Sequence, residues 1–169
     1  MTRKSVILSG IDNRKRFAVH LIDKAMMKAM QVYSGKTDLA GQPYILHPLR
    51  LMAKAKDHYS MVLALMHDVI EMSGMSPEDC AAQLREEGFP TELVDDLMLL
   101  TRMPGESYMQ YIDRLKGVAR VRSTKKDDIE DNMQLLRLKS LTESDLKRQA
   151  RYHKAWHRLI AAEGGDDLC

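Results

Sequence analysis

The chain has 169 residues, of which 44% are hydrophobic and 30% are charged, and its formal net charge is +2. This composition is typical of a single globular domain, and it excludes intrinsic disorder and a membrane-spanning protein. A net charge so close to zero predicts neither a nucleic-acid-binding protein nor a membrane-surface protein.

Helix start and stop signals divide the chain into about eight predicted helices. Their approximate bounds are residues 12–33, 48–56, 59–73, 76–88, 91–101, 106–115, 118–138 and 142–164. Ser76 and Thr142 are predicted caps, each followed three residues later by an aspartate. No segment alternates as a strand does, so we expect one all-α domain over residues 1–169, with its core at about residues 12–162 and short flexible termini.

The cysteine content and the N-terminus indicate a cytoplasmic protein. Cys80 and Cys169 are far apart, which predicts no disulfide framework. The N-terminal sequence MTRKSVILSG has too short an apolar stretch for a signal peptide. We therefore expect no membrane or nucleic-acid partner, and a homo-oligomer is compatible with the sequence.

The third predicted helix contains the hexapeptide HDVIEM. Its residues His67, Asp68 and Glu71 share one helical face with Ala64, on a helix that is otherwise strongly apolar. Burying these side chains costs free energy unless a cation or hydrogen bonds compensate them. The dipeptide alone is weak support for a metal, because a lone buried histidine is more often satisfied by a backbone carbonyl.

Two other segments strengthen the metal interpretation. His47 follows the loop PYIL, and Asp128 and Asn132 lie four residues apart beside an apolar stripe of the seventh predicted helix. Two imidazoles and two carboxylates form a mixed nitrogen–oxygen set that suits Mn, Fe, Co or Zn better than Mg or Ca. Four protein ligands leave positions open for water and a substrate oxygen, which indicates a hydrolytic site. The predicted ligands are His47, His67, Asp68 and Asp128.

The order of these motifs resembles that of the HD-domain phosphohydrolases. The segments AGQPYILHPLRLM, LMHDVIEM, LTRMPGESY and KDDIEDNM are similar, in particular, to the HD hydrolase domain of the RelA/SpoT enzymes and the small alarmone hydrolases. The likeness extends over about residues 17–138. It implies the same four metal ligands, with manganese as the expected ion. It also implies hydrolysis of a nucleotide, since family members release pyrophosphate from the 3′ position of ppGpp or pppGpp.

The resemblance also implies roles for residues around the metal. Glu71 would position or deprotonate the attacking water, as a catalytic residue. Asn132 would contact the nucleotide, and Lys125 would offer its charge to a phosphate. Arg50 and Lys36 are further candidates for substrate binding, and a surface role for Arg50 is equally compatible with the sequence.

The chain departs from the family pattern at three places. Met72 replaces the second acid of the family motif HDxxED, and loss of one acid–base group typically reduces a rate by about 10²- to 10⁴-fold. Lys126 and Asp127 replace a usually apolar pair. Thr37 and Asp38 follow Lys36 where alarmone hydrolases have a basic cluster.

These departures leave three alternatives to alarmone hydrolysis. The same site would suit a phosphatase acting on another phosphate monoester, such as a nucleoside monophosphate or the 2′-phosphate of NADPH. A catalytically impaired module that binds a nucleotide or metal is the second alternative, and a purely structural helical bundle is the third.

Two further patterns are predicted to have no ligand. His153 and His157 have a spacing that can bind zinc, but Leu146, Ala150 and Ile160 share their face, so packing is the favoured interpretation. The basic cluster of Arg120, Arg122, Lys125 and Lys126 is predicted to be a solvated helix face rather than a nucleic-acid contact, because it lacks interleaved aromatic residues.

Overall fold

The computed structural model describes the backbone of residues 13–166 and the side chains of residues 20–164. The helices in chain order are α1 (Asn13–Tyr33), α2 (Leu46–Lys54), α3 (His58–Met66), α4 (Val69–Met72), α5 (Pro77–Glu86), α6 (Thr91–Leu100), α7 (Tyr108–Leu115), α8 (Ala119–Asn132) and α9 (Glu143–Asp166), with a 3₁₀ turn at Leu135–Arg137 between the last two. The described residues form no strand, so the predicted all-α bundle is confirmed. The predicted flexible termini lie mainly outside the described residues. None of the described helices is both long and apolar enough to cross a membrane.

Helix α3 lies at the centre of the bundle. It packs against α1 and α2, and it also contacts α6 and α8. Its residues Val62 to Met66 are at most 4% exposed, because the sequence HYSMVLALM has apolar side chains on every side of its last turns. His67, the residue that follows the end of this helix, is therefore also buried. Helices α2 and α8 both contact α3, and they carry His47 and Asp128 of the site.

Side-chain caps determine where several helices begin. The hydroxyls of Ser76 and Thr142 accept the backbone N–H groups of Asp79 and Asp145, which confirms both predicted caps. Asp57 is an additional cap, because its carboxylate accepts a backbone N–H from the first turn of α3. This cap fixes the start of α3. It therefore contributes to the position of His67 and Asp68, which follow the end of the helix.

Helix α8 ends earlier than predicted. The sequence pattern favoured a helix over residues 118–138, whereas the structure ends it at Asn132. Arg137 donates to both the carboxylate and the carbonyl oxygen of Asp131. These bonds satisfy an acceptor in the last turn of the helix and stabilise the change in chain direction.

Candidate metal centre

The His67–Asp68 pair lies at a helix interruption. Helix α3 ends just before His67 and α4 begins just after Asp68, so the prediction of one unbroken helix over residues 59–73 is wrong. The His67 Nδ1 atom is 2.8 Å from the Ala64 carbonyl oxygen, which in an unbroken helix would accept the N–H of Asp68. This side-chain bond favours the interruption and holds the imidazole inside the protein.

The Nε2 atoms of the two imidazoles lie close together. The Nδ1 atom of His67 can only donate to the Ala64 carbonyl, and the Nδ1 atom of His47 donates to the Asp131 carboxylate at 2.7 Å. In a neutral imidazole the other nitrogen is then an acceptor with a free lone pair. The two Nε2 atoms are 3.2 Å apart, a separation that subtends about 100° at an ion about 2.05 Å from each nitrogen. The backbone-carbonyl and metal interpretations of His67 are therefore compatible, since each uses a different nitrogen.

Two carboxylates complete a cluster of four acceptors. Asp128 Oδ1 lies 3.1 Å from the Nε2 of His47, and Asp68 Oδ2 lies 3.1 Å from the Nε2 of His67. Ligand atoms of His47, His67 and Asp128 all lie within 4.8 Å of one another. Buried acceptors that converge in this way are costly, and a cation compensates them. These three residues can hold a divalent metal ion, and Asp68 beside them remains the predicted fourth ligand.

The charges of the cluster shift the pKa values of its members. Burial alone would lower the pKa of His47, but its hydrogen bonds to Asp128 and Asp131 raise that pKa to about 9. Burial would raise the pKa of Asp128, whereas the charge of Lys125 and the imidazole contacts hold it well below its usual range. The carboxylate is therefore ionised at neutral pH, and a metal that binds here replaces protons on the imidazoles.

Asp131 positions His47 and was not predicted from the sequence. Besides the His47 N–H, its carboxylate accepts Arg50 Nε at 2.7 Å and a terminal nitrogen of Arg137 at 2.8 Å. A carboxylate on the far nitrogen of a metal-binding imidazole fixes the ring orientation and makes the other nitrogen a stronger ligand. The available sequence signal was its position three residues after Asp128, which places both on one face of α8.

We expect Asp131→Asn to weaken metal binding by about 10- to 100-fold, the usual effect of losing an outer-shell partner of a ligand. The amide keeps the shape of the side chain but loses the negative charge that orients His47. Competition with a chelator measures the affinity. Asp127→Asn, on the same helix, is the matched control and should leave the affinity unchanged, and equal affinity in the two variants would contradict the role of Asp131.

Three further side chains contact the carboxylates of the cluster. Lys125 Nζ donates to Oδ2 of Asp128 at 2.6 Å, and Asn132 Nδ2 donates to Oδ1 at 2.6 Å. The hydroxyl of Tyr44 donates to Asp68 Oδ2. Lys125 and Asn132, two of the predicted substrate-binding residues, thus hold Asp128 in this structure. Their contact with substrate stays a prediction.

Glu71, the predicted catalytic residue, is exposed on α4, and the charge of Asp68 acts on it. One carboxylate oxygen accepts the backbone N–H of Arg102 at 2.7 Å, which ties Glu71 to the loop after α6. Partial desolvation and the negative charge of Asp68 raise the pKa of Glu71. A carboxylate with a raised pKa, held through one oxygen, is suited to exchange a proton with water through the other.

Met72 occupies the place of the second acid and packs against the apolar core. Its carbonyl oxygen accepts a hydrogen bond from Lys36 Nζ. Lys36, another predicted substrate-binding residue, is thereby tied to the end of α4, and its contact with substrate stays a prediction.

A cavity of about 220 Å³ opens beside His47. Its lining includes three arginines and two amide side chains: Arg50, Arg137, Arg148, Asn132 and Gln134. The predicted substrate-binding residue Arg50 thus borders the cavity while its guanidinium is bonded to the Asp131 carboxylate. A cavity bordered by guanidinium groups favours an anionic ligand.

The basic residues of α8 do not form the single solvated face that was predicted. Arg122 is buried, Lys125 reaches Asp128 in the buried cluster, and Arg120 pairs with the buried carboxylate of Asp96. That prediction is wrong because these side chains point in different directions around the helix. The absence of a nucleic-acid partner stays a prediction.

The chain is partly similar to a known protein. No family model matches the chain. A segment of 89 residues, about 50% of this chain, is 30% identical to the guanosine-3′,5′-bis(diphosphate) 3′-pyrophosphohydrolase of Vibrio cholerae serotype O1. The match spans 12% of that protein, so it concerns a small part of a much longer chain. It fits an HD-type hydrolase, in agreement with the resemblance of the motifs.

Proposed function

We propose that the protein is a metal-dependent phosphohydrolase that acts on a nucleotide, with ppGpp hydrolysis to GDP and pyrophosphate as the favoured reaction. The observation that carries this proposal is the convergence of buried acceptor atoms from His47, His67 and Asp128, with Asp68 adjacent and Glu71 exposed on the following helix. The partial similarity to the Vibrio cholerae enzyme supports the substrate class.

The residues of the site have separate roles in the proposed reaction. His47, His67 and Asp128, with Asp68 beside them, would hold a divalent ion, which would supply the Lewis acidity that lowers the pKa of water and withdraws charge from a phosphoryl group. Glu71 accepts the proton of the attacking water at the oxygen not bonded to Arg102. Lys125 keeps Asp128 ionised, and Asp131 keeps the His47 ring in the orientation that presents Nε2.

The arginine-lined cavity is the proposed binding place for the rest of the nucleotide. The cavity adjoins His47, so a ligand bound there has one end at the buried cluster of histidine and aspartate side chains. Arg137 and Arg148 offer charge to an anionic group, and Asn132 offers hydrogen bonds to a polar one. Each of these side chains already has an acidic or carbonyl partner, so substrate binding involves an exchange of partners.

Direct assay tests this function. Manganese-loaded protein incubated with ppGpp should release pyrophosphate and GDP in equal amounts. The release should be lost on chelation and restored by added Mn²⁺. Absence of pyrophosphate from a folded, metal-loaded protein would reject ppGpp as the substrate.

A second candidate is hydrolysis of a smaller phosphate monoester. Asp38 borders the cavity, and its carboxylate accepts the backbone N–H groups of Ala40 and Gln42 at 2.9 Å each. This places negative charge where the alarmone hydrolases carry a basic cluster, and it disfavours a highly charged substrate. A panel of nucleoside monophosphates and NADPH, followed by release of inorganic phosphate, distinguishes this candidate from ppGpp hydrolysis.

We expect Met72→Asp to raise the turnover rate, by up to about 10²- to 10⁴-fold, because it restores the second acid–base group of the motif. Met72→Leu is the matched control, and it should retain the wild-type rate since it preserves only the packing. The measurement is kcat with saturating substrate and Mn²⁺. If Met72→Asp binds metal and still turns over no nucleotide, the chain is a nucleotide- or metal-binding module rather than an enzyme.

A further inference from the structure

His153 and His157 lie on α9, away from the buried cluster, and both side chains are exposed. The prediction that they serve packing is therefore wrong. Leu146, which was expected to pack on the same face, is 55% exposed. The ring nitrogens of both histidines are thus accessible to solutes.

The two rings already have the geometry of a chelating pair. Their Nε2 atoms are 3.1 Å apart, and the ring centroids are 4.4 Å apart. At an ion about 2.05 Å from each nitrogen, the N–metal–N angle would be about 100°. This value lies between the ligand angles of octahedral and tetrahedral coordination. The separation of the two nitrogens therefore matches that of two ligands on one metal ion.

Neighbouring residues connect this part of α9 to the rest of the bundle. The Trp156 ring lies edge-on to the His157 ring, with centroids 5.2 Å apart and planes at 88°. Its indole N–H donates to Glu130 at 3.0 Å, which ties this part of α9 to α8. Glu130 borders the same surface groove as both histidines, and Lys54 holds its other carboxylate oxygen.

We propose that His153 and His157 form a second metal site, for a late first-row divalent ion such as Cu²⁺, Ni²⁺ or Zn²⁺. Imidazole suits these ions, and affinity for a nitrogen site rises along the series from Mn²⁺ to Cu²⁺. Two nitrogen ligands without a carboxylate bind Mn²⁺ weakly. Only the buried cluster, which also supplies carboxylates, is expected to hold Mn²⁺, and water fills the remaining positions at the surface site. This inference does not depend on the proposed hydrolytic function.

Copper titration followed by tryptophan fluorescence tests the site directly. The chain has one tryptophan, Trp156, and it contacts the ring of His157. Cu²⁺ should quench its emission once the buried cluster is filled, and a chelator should restore it. Mn²⁺ at the same concentration should cause no quenching. In His67→Ala, which removes a ligand of the buried cluster, the quenching should persist and saturate at about one ion per chain.

Asparagine variants of the pair locate the bound ion. His153→Asn and His157→Asn should each weaken the apparent Cu²⁺ affinity by more than about tenfold, since a direct ligand matters at least as much as its outer-shell partners. Both side chains are exposed, so the variants should fold normally. His58→Asn, at an exposed single histidine, should bind as the wild type does. Wild-type binding by both variants of the pair, or loss of quenching in His67→Ala, would overturn the proposal.

Discussion

Glu71→Gln is expected to lower turnover by about 10²- to 10⁴-fold while leaving the bound metal in place. The amide oxygen can still accept the Arg102 N–H that holds Glu71 to the loop after α6. It cannot take a proton from water, so the variant isolates the loss of the base. The measurement is kcat for nucleotide hydrolysis at saturating Mn²⁺, together with metal content.

Glu86→Gln is the matched control, because Glu86 is an exposed residue of α5 and lies outside the cluster. It should retain the wild-type rate. A Glu71→Gln protein that hydrolyses its substrate at more than about one tenth of the wild-type rate would show that another group handles the proton.

His67→Ala is expected to abolish both metal binding at the buried cluster and all metal-dependent hydrolysis. The substitution removes the Nε2 ligand, and it also removes the Nδ1 contact with the Ala64 carbonyl that accompanies the helix interruption. The resulting loss of activity should be at least as large as that of Glu71→Gln, about 10²- to 10⁴-fold, because the metal is lost before the base can act. Manganese binding and pyrophosphate release are measured on the same preparation.

A cavity in the core is the other consequence of His67→Ala, since the side chain is only 2% exposed. Asp128→Asn separates the two effects, because it keeps the volume of the side chain and removes the ligand charge. Both variants should lose the metal. If Asp128→Asn binds metal and hydrolyses nucleotide at wild-type levels, the cluster is not the catalytic centre.

Sequence periodicity predicted the all-α fold and most helix positions, because buried apolar faces and caps are local signals. The run MVLALM predicts burial of α3, and Ser76 and Thr142 predict two helix starts that the structure confirms. The interruption at His67 was not predictable in this way. It accompanies a hydrogen bond from a side chain to the carbonyl three residues earlier, which the hydrophobic pattern does not encode.

The sequence predicted the residues of the site only where they belong to the HD-domain motifs. His47, His67 and Asp128 come together as the family resemblance implies, although α8 is far from α2 and α3 in the sequence. Asp131 was missed because its role depends on the direction in which the ring of His47 points. That direction is a tertiary property, set by the packing of α2 against α8.

The substrate end of the site was the least predictable part. Arg137 and Arg148 border the cavity, yet neither belongs to a recognisable motif. Arg137 approaches because α8 ends early, and Arg148 approaches from α9. His153 and His157 were misread for a similar reason, since their spacing indicated one helical face but not whether another element covers it.

The most direct test of the metal centre is a titration of metal-free protein with Mn²⁺, followed by the electron paramagnetic resonance signal of the free ion. The cluster of His47, His67, Asp68 and Asp128 predicts one tight site per chain, lost in Asp128→Asn and retained when His153 and His157 are replaced together by Asn. No tight site in the wild-type protein, or a site unaffected by Asp128→Asn, would contradict a metal centre at this position and with it the proposed hydrolytic function.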